Sequence, residues 1–137
     1  MKRYVFASHS QMAAGMKQTL EFLTKTDEIY ELSAYNNEQQ DEDLSEKIAE
    51  LLGRFSSDDL VIVMTDIMAG SVNQQFYPYV SEKLFLIAGI NVPLAMSFAL
   101  VPEESLTQEK VQELVEEARN QMIFVNQWQR EENEEDE

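Results

Sequence analysis

Apolar residues recur along the chain at two spacings, one typical of buried strands and one typical of helices. Four strand-like segments lie at 4–7, 28–35, 60–64 and 84–88. Between them, apolar residues three or four positions apart predict two helices, marked by Met12, Met16, Leu20 and Leu23 in the first and by Leu44, Ile48, Leu51 and Leu52 in the second. Strands that alternate with helices predict a mostly parallel sheet with helices on both faces.

The second half of the chain adds three predicted helices. Segment 70–83 is expected to be helical, with Pro78 in an early turn or at a kink. A short helix is expected over 93–100. Ser105 and Gln108 have the spacing of a capping box. They would open a long helix with one apolar face, formed by Val111, Leu114, Val115, Ala118, Met122 and Val125.

The predicted fold class is α/β, a flavodoxin-like doubly wound sheet of four strands in the order 2-1-3-4. Ligands bind such sheets beyond the carboxyl ends of the strands, at the point where the strand order reverses. That point lies between the first and third strands. Topology therefore selects the loops at 8–12 and 65–73 before any residue chemistry is considered.

These two loops contain a histidine and an aspartate. His9 is the only histidine of the chain, and Asp66 directly follows the third predicted strand. Because neighbouring strands end side by side, the two side chains are expected to lie together. A carboxylate on one ring nitrogen fixes the tautomer and leaves the other nitrogen as a nucleophile that can carry a phosphoryl group. Backbone N–H groups at Gly70 and Ser71 would hold the phosphoryl oxygens.

Each of these residues also has a plainer interpretation. A lone histidine in a loop is usually a polar surface side chain, and Asp66 could cap a helix. The pair 70–71 could form a turn, and Ser8 and Ser10 could cap the first helix. Three other kinds of site fit the residues less well. A Ser-His-Asp hydrolase would need a GxSxG elbow, which the sequence lacks. A phospho-accepting aspartate would need further acidic residues after the first strand to bind Mg²⁺. A flavin site would need a first loop that cradles a phosphate, and the first loop here is a poor match.

Length and charge limit the organisation and the partners. A chain of 137 residues fits a single domain, predicted at 1–128, followed by an acidic tail at 129–137 that is expected to be disordered. The net charge is −16, and without the tail 20 acidic residues still face 9 basic ones. Such a charge opposes binding to nucleic acid or anionic membranes, and it suits either solubility or a basic partner.

Composition also bears on metals and location. The chain has no cysteine, which excludes disulfides and cysteine-ligated zinc, and one histidine, which excludes a multi-histidine metal site. No apolar run approaches the roughly 18 residues that cross a bilayer. The first residues lack the pattern of a signal peptide, so a cytoplasmic location is expected.

Three stretches carry a resemblance to a known family. They read ASHSQMAAGM at 7–16, TDIMAGSVNQ at 65–74 and IAGINVPL at 87–94. With the length and the order of elements, they make the chain resemble the IIA component of the mannose-type (mannose/fructose/sorbose) bacterial sugar phosphotransferase system. The likeness covers residues 1–126.

The resemblance implies a phosphohistidine intermediate in a phosphoenolpyruvate-dependent pathway of sugar uptake and phosphorylation. His9 would accept a phosphoryl group from the phosphocarrier HPr and pass it to a IIB component, while Asp66 orients His9. No metal and no organic cofactor is implied, and the membrane is met only through the transporter components. The phosphoryl group is expected to contact loop residues, namely Ser10, Gln11, Gly70 and Ser71.

Some features depart from the family pattern or leave alternatives open. Ser10 stands where the family often has Gly, and Val72 where many members have Pro. Family members are often homodimers, sometimes through an exchanged C-terminal strand. Segment 129–137 is too charged for a strand, so a dimer here is expected to be built differently.

Three alternative functions remain. One is the phosphocarrier subunit of a dihydroxyacetone kinase, which also has a His-Ser pair, although segment 69–73 favours the sugar-transport family. The others are a regulatory module of the same fold and a flavodoxin-like domain that binds a small molecule. The identity of the sugar cannot be predicted from this sequence.

Overall fold

The structure, a computed structural model, describes residues 1–35 and 43–128. Its centre is one sheet with the strand order β2-β1-β3-β4, in which every neighbouring pair is parallel. The strands are β1 (Lys2–His9), β2 (Ile29–Ala34), β3 (Leu60–Thr65) and β4 (Leu84–Ala88). The predicted α/β class and strand order are confirmed.

Helices cover both faces of the sheet. They are α1 (Met12–Thr24), α2 (Ser45–Gly53), α3 (Ser71–Phe76), α4 (Val92–Leu100) and α5 (Gln108–Arg119), with short 3-10 helices at Tyr77–Tyr79 and Glu103–Ser105 and a helical turn at 125–128. None of the helices in the described ranges has both the length and the apolar composition that crossing a bilayer requires.

The core is divided by the sheet into two layers because successive strand residues point to opposite faces. Tyr4, Phe6 and Ile62 pack against α1, α4 and α5 on one face. Val5 and Val63 pack against α2 and α3 on the other. All six residues of β3 are buried. Burial on both faces accounts for the continuous apolar runs, and it leaves the strand ends as the accessible part of the sheet.

The predicted helix over 70–83 is only partly correct. Helix α3 ends at Phe76, and the chain tightens into the 3-10 helix Tyr77–Tyr79, which has Pro78 in its first turn. Residues 80–83 are not helical. Proline has no N–H to continue the hydrogen-bond ladder, so the helix stops where the proline is reached.

The prediction for the last helix is wrong at both ends. Thr107, not Ser105, caps α5, since its side chain accepts a hydrogen bond from the Lys110 N–H at 3.1 Å. The helix ends at Arg119, and Met122 and Val125 are exposed instead of lying on its buried face. The apolar spacing continues past the end of the helix. Periodicity alone does not distinguish a buried helix face from an exposed apolar segment, so the prediction extended the helix too far. The predicted tail, 129–137, lies outside the described residues.

Candidate functional site

The carboxyl ends of three neighbouring strands bring three side chains together. Strand β1 ends at His9, Asp66 directly follows β3, and Tyr35 directly follows β2. Because β1 lies between β2 and β3, His9 has Asp66 on one side and Tyr35 on the other. The first two residues are those that the topological rule selects from the sequence.

Asp66 holds both the backbone and the ring of His9. Its Oδ2 atom lies 2.8 Å from the backbone N of His9 and 2.8 Å from His9 Nδ1. Its Oδ1 atom accepts a hydrogen bond from the Ile67 N–H at 3.0 Å. One carboxylate therefore sets the position of the strand end and the orientation of the imidazole.

The same contacts determine which ring nitrogen is available for chemistry. Burial favours the neutral form of Asp66, but the hydrogen bonds from His9 outweigh burial, so the pKa of Asp66 lies below that of an ordinary aspartate. An ionised carboxylate only accepts hydrogen bonds, so Nδ1 carries a proton, and in the neutral imidazole Nε2 then has the lone pair. The His9 side chain is 42% exposed, whereas that of Asp66 is 11% exposed. The imidazole is accessible while its carboxylate partner is shielded.

Gly70 lies against the imidazole. A Cβ atom at position 70 would lie 3.3 Å from His9 Cε1 and 3.4 Å from the Ile67 carbonyl oxygen, closer than most side chains tolerate. Cε1 lies between the two ring nitrogens, so the segment where Gly70 leads into Ser71, the first residue of α3, lies beside the imidazole. The absence of a side chain at Gly70 lets the backbone approach the ring.

Tyr35 is a site residue that our sequence analysis missed. Its ring centroid lies 5.1 Å from that of His9, with the two planes 31° apart. The hydroxyl lies 2.8 Å from Ser71 Oγ, so Tyr35 connects the imidazole with the start of α3. Its position after a strand adjacent to β1 is the signal that could have revealed it.

A buried pair of side chains supports the loop that carries Asp66 and Gly70. Thr65 Oγ1 donates to Asn73 Oδ1 at 2.7 Å, and Asn73 Nδ2 donates to the Met68 carbonyl at 3.2 Å. Thr65 and Asn73 are both buried. These bonds tie the loop to the end of β3 and to α3.

The first loop is organised by its serines in different ways. Ser8 Oγ accepts a hydrogen bond from the Ala13 N–H at 2.7 Å and so caps α1. Ser10 does not cap the helix: its φ is 54°, in the left-handed region, and its N–H donates to the Ala34 carbonyl at 2.7 Å. Gln11 precedes α1 without a capping bond from its side chain. Ser10 and Gln11 are exposed in the turn after His9.

This arrangement is suited to accepting a group on a ring nitrogen. It combines an exposed imidazole, a carboxylate that can balance a positive imidazole, and backbone N–H groups at the start of α3. Within residues 1–35 and 43–128, no three histidine or acidic side chains come close enough to hold a metal ion.

Comparison with known proteins gives the family. The model of the family described as PTS system fructose IIA component (EIIA-man) matches residues 3–125. A Klebsiella pneumoniae protein, named as a permease of the phosphoenolpyruvate-dependent sugar phosphotransferase system, is 34% identical over 92% of both chains, with a TM-score of 0.81. No curated protein matches the chain significantly.

Two further solved structures share the fold. The IIA protein associated with the fucose utilization operon of Streptococcus pneumoniae has a TM-score of 0.75 and 21% identity over 93% of this chain and 95% of its own. The mannose/sorbose-specific IIA subunit of Enterococcus faecalis has a TM-score of 0.66 and 19% identity over 90% and 94%. With the family match over 3–125, the chain belongs to the mannose-type IIA components of the bacterial sugar phosphotransferase system.

Proposed function

We propose that the chain carries a phosphoryl group on His9, which it accepts from phospho-HPr and passes to a IIB component for sugar uptake and phosphorylation. The observation that carries this proposal is the 2.8 Å contact between His9 Nδ1 and Asp66 Oδ2. That contact occupies one ring nitrogen and leaves the other, Nε2, for the phosphoryl group on a side chain that is 42% exposed. Family membership supports the same reaction class.

In the transfer step, the Nε2 lone pair forms a bond to phosphorus, and the bond between phosphorus and the donor breaks. The donor keeps the electron pair of that bond. The imidazole retains its proton on Nδ1 and becomes positively charged, and ionised Asp66 balances that charge. Transfer to the acceptor reverses these events, so no proton needs to leave the His9–Asp66 pair.

The phosphoryl oxygens are expected to contact the two loops that flank His9. The N–H groups after Gly70 and the Ser71 hydroxyl lie at the start of α3, next to the imidazole ring. Ser10 and Gln11 would approach from the start of α1. Exposed contacts at helix termini are individually weak, about 0.3–1 kcal/mol, which suits a carrier that must release its group.

Both partners would use the same surface, because each must reach His9. Three apolar side chains of the site loops are exposed there: Met12, Ile67 and Met68. Flexible methionines allow one surface to pack against different partners. The acidic charge of the chain would favour partners with a basic face. A cytoplasmic location and the lack of nucleic-acid binding stay predictions of the sequence.

Intact-mass measurement tests the proposal. Phosphoenolpyruvate, its kinase and HPr should add one phosphoryl group to the wild type, labile in acid and stable in base, and His9→Ala should remain unmodified while keeping its circular dichroism spectrum. An unmodified wild type, or a modified His9→Ala, would overturn it. Discharge of the phosphoprotein by a IIB protein tests the second half. Failure with every IIB protein, combined with binding to a regulator, would favour the regulatory alternative.

We also propose that two copies associate through the segment after α5. Its large apolar side chains are exposed, namely Met122, Ile123, Phe124, Val125 and Trp128. A surface of this kind in water indicates a protein partner. The outer edge of β4 is unpaired beyond its first residue in the described part of the chain, and shallow grooves with mixed polar and apolar lining lie between this strand and α5. A second copy offers both a matching apolar segment and a matching edge, as two-fold association requires.

Molar mass in solution tests the association. Wild type should sediment as a dimer, and Phe124→Asp should shift it to monomer because a buried carboxylate is costly. Phe22→Asp is the matched control, since Phe22 is also highly exposed but lies on α1. A monomeric wild type, or equal dissociation by both variants, would contradict this interface.

A further inference from the structure

Tyr35 combines three features that a surface tyrosine seldom has together. Its ring covers the imidazole of His9, with centroids 5.1 Å apart. Its hydroxyl reaches Ser71 Oγ at 2.8 Å, on the other side of the site. Its φ is 58°, a left-handed conformation that is uncommon and unfavourable for an aromatic residue. Unfavourable backbone conformations that the surrounding structure maintains cluster at functional sites.

The ring of Tyr35 completes the restraint of the imidazole. Asp66 holds the Nδ1 atom, and Gly70 lies beside Cε1. Tyr35 packs against the ring, with the two planes 31° apart. Together the three contacts restrict rotation of the imidazole.

The hydroxyl of Tyr35 bears on the orientation of Ser71. Gln75 Nε2 donates a long hydrogen bond to the Tyr35 oxygen at 3.4 Å. An oxygen that accepts from Gln75 can give its own hydrogen to Ser71 Oγ. Ser71 Oγ then acts as an acceptor, and its hydroxyl hydrogen is available for a phosphoryl oxygen.

We propose that Tyr35 is a positioning residue for phosphoryl transfer at His9, acting through its ring on the imidazole and through its hydroxyl on Ser71. This inference rests on the proposed function, because it assigns Tyr35 a part in the same reaction. Misplacement of a reacting group by about an ångström is enough to slow transfer strongly. The two parts of the side chain can be separated by mutation.

Rapid-quench measurement of transfer from phospho-HPr tests the proposal with two variants. Tyr35→Phe keeps the ring and loses the hydroxyl, so we expect transfer to slow by about 5-fold. Tyr35→Leu loses both contacts, and we expect a decrease of about 30-fold or more in kcat, with KM little changed. Tyr77→Phe is the control, because Tyr77 is an exposed tyrosine outside the site.

Three readouts separate positioning from a general structural role. In a Ser71→Ala background, Tyr35→Phe should have no further effect, because the hydroxyl acts through Ser71. Imidazole ¹⁵N spectra should show the tautomer protonated at Nδ1 in both proteins, because Asp66 is intact, with signals broadened by ring motion only in Tyr35→Leu. Phosphoramidate, a small phosphoryl donor, should reproduce the defect of Tyr35→Leu without any partner protein.

The outcomes distinguish the two proposals. If wild type accepts no phosphoryl group from HPr, the proposed function fails. If wild type is phosphorylated and Tyr35→Leu, with an unchanged melting curve, reacts at the same rate, only the role of Tyr35 is overturned. A defect with HPr but none with phosphoramidate would also overturn it, since Tyr35 would then serve partner docking.

Discussion

An aspartate flanks strand β3 at each end, buried at the amino end and partly buried at the carboxyl end, and the two serve different purposes. Asp59 directly precedes β3 and Asp66 directly follows it. Each accepts a backbone N–H, Asp59 from Ser56 and Asp66 from His9, and each has a pKa below the ordinary value. What distinguishes them is the side chain with which each is paired.

At the amino end, the partner is a cation that is always charged. Asp59 accepts from Arg3 Nε at 3.0 Å, and the same guanidinium also pairs with Glu28, contacts the Tyr30 hydroxyl and lies over the Phe55 ring. Only 18% of the Arg3 side chain is exposed. Both Nε and Nη1 of this guanidinium have partners, so its role is to hold strands and loops together.

At the carboxyl end, the partner is an imidazole with a second nitrogen. His9 is 42% exposed, and Asp66 takes only its Nδ1 atom. The carboxylate of Asp59 has a structural role because its partner is a shielded guanidinium. The carboxylate of Asp66 is suited to catalysis because its partner is an accessible imidazole. The comparison shows that a buried carboxylate does not reveal its role until its partner is known.

The largest effect, on the rate of phosphoryl transfer, is expected when the Asp66 carboxylate at the carboxyl end of β3 is neutralised. Asp66→Asn can present an amide N–H to Nδ1, which forces the imidazole proton onto Nε2 and removes the lone pair. We expect transfer from phospho-HPr to slow by about 100-fold or more, measured by rapid quench. Asp59→Asn is the matched control and should stay within about 2-fold of wild type. Equal slowing by both variants would remove the distinction between the two ends.

The support of the Asp66 loop is expected to have the next largest effect. Asn73→Ala removes the acceptor of the buried Thr65 hydroxyl and the donor to Met68. Unsatisfied buried groups cost about 1–3 kcal/mol, and we expect the free energy of unfolding in urea to fall by that amount. Thr65→Val should recover part of the loss in the double variant. Stability equal to wild type would show that the loop does not depend on this pair.

A smaller effect is expected at the amino end, and it should depend on pH. The Ser56 N–H lowers the pKa of Asp59 most, and Arg3 lowers it further against burial. Because the folded pKa is depressed, the ionised group contributes stability above the unfolded value of about 3.9 and loses it as pH falls through the folded value. Asp59→Asn should melt about 4 °C below wild type at pH 7.

The same comparison made in acid sharpens this prediction. The difference in melting temperature between wild type and Asp59→Asn should narrow as pH falls below about 4, because Asp59 then becomes protonated in the unfolded chain while the folded state still keeps it ionised. Scanning calorimetry across that range measures it. A difference that is constant, or that grows in acid, would show that the charge of Asp59 does not stabilise the amino end.

The smallest effect is expected at Ser10. Its φ of 54° is unfavourable for serine and allowed for glycine, but glycine also gains freedom in the unfolded chain. These two terms oppose each other, so Ser10→Gly should change the free energy of unfolding by less than about 1 kcal/mol. Denaturant titration measures it. A larger destabilisation would mean that the serine side chain itself supports the turn.

Much of the site follows from the order of the elements. Apolar runs predicted the strands. The strand order then placed His9 next to Asp66, because the two residues lie at the carboxyl ends of neighbouring parallel strands. Tyr35 also follows a neighbour of β1, but a tyrosine at a strand end is ordinary in sequence. Neither its left-handed φ nor its contact with Ser71 follows from a local pattern. The exposed segment after α5 was missed because its apolar spacing resembles that of a buried helix face.

The sequence by itself determined the sheet, its order and the end at which His9 and Asp66 lie, because burial on both faces imposes a pattern on consecutive residues. Only the tertiary structure decided which ring nitrogen Asp66 occupies, that Gly70 leaves room for the ring, and that Tyr35 covers its face. The physical reason is separation along the sequence. Burial patterns repeat within a few consecutive residues, whereas these contacts join side chains that are far apart in sequence and only a few ångströms apart in space.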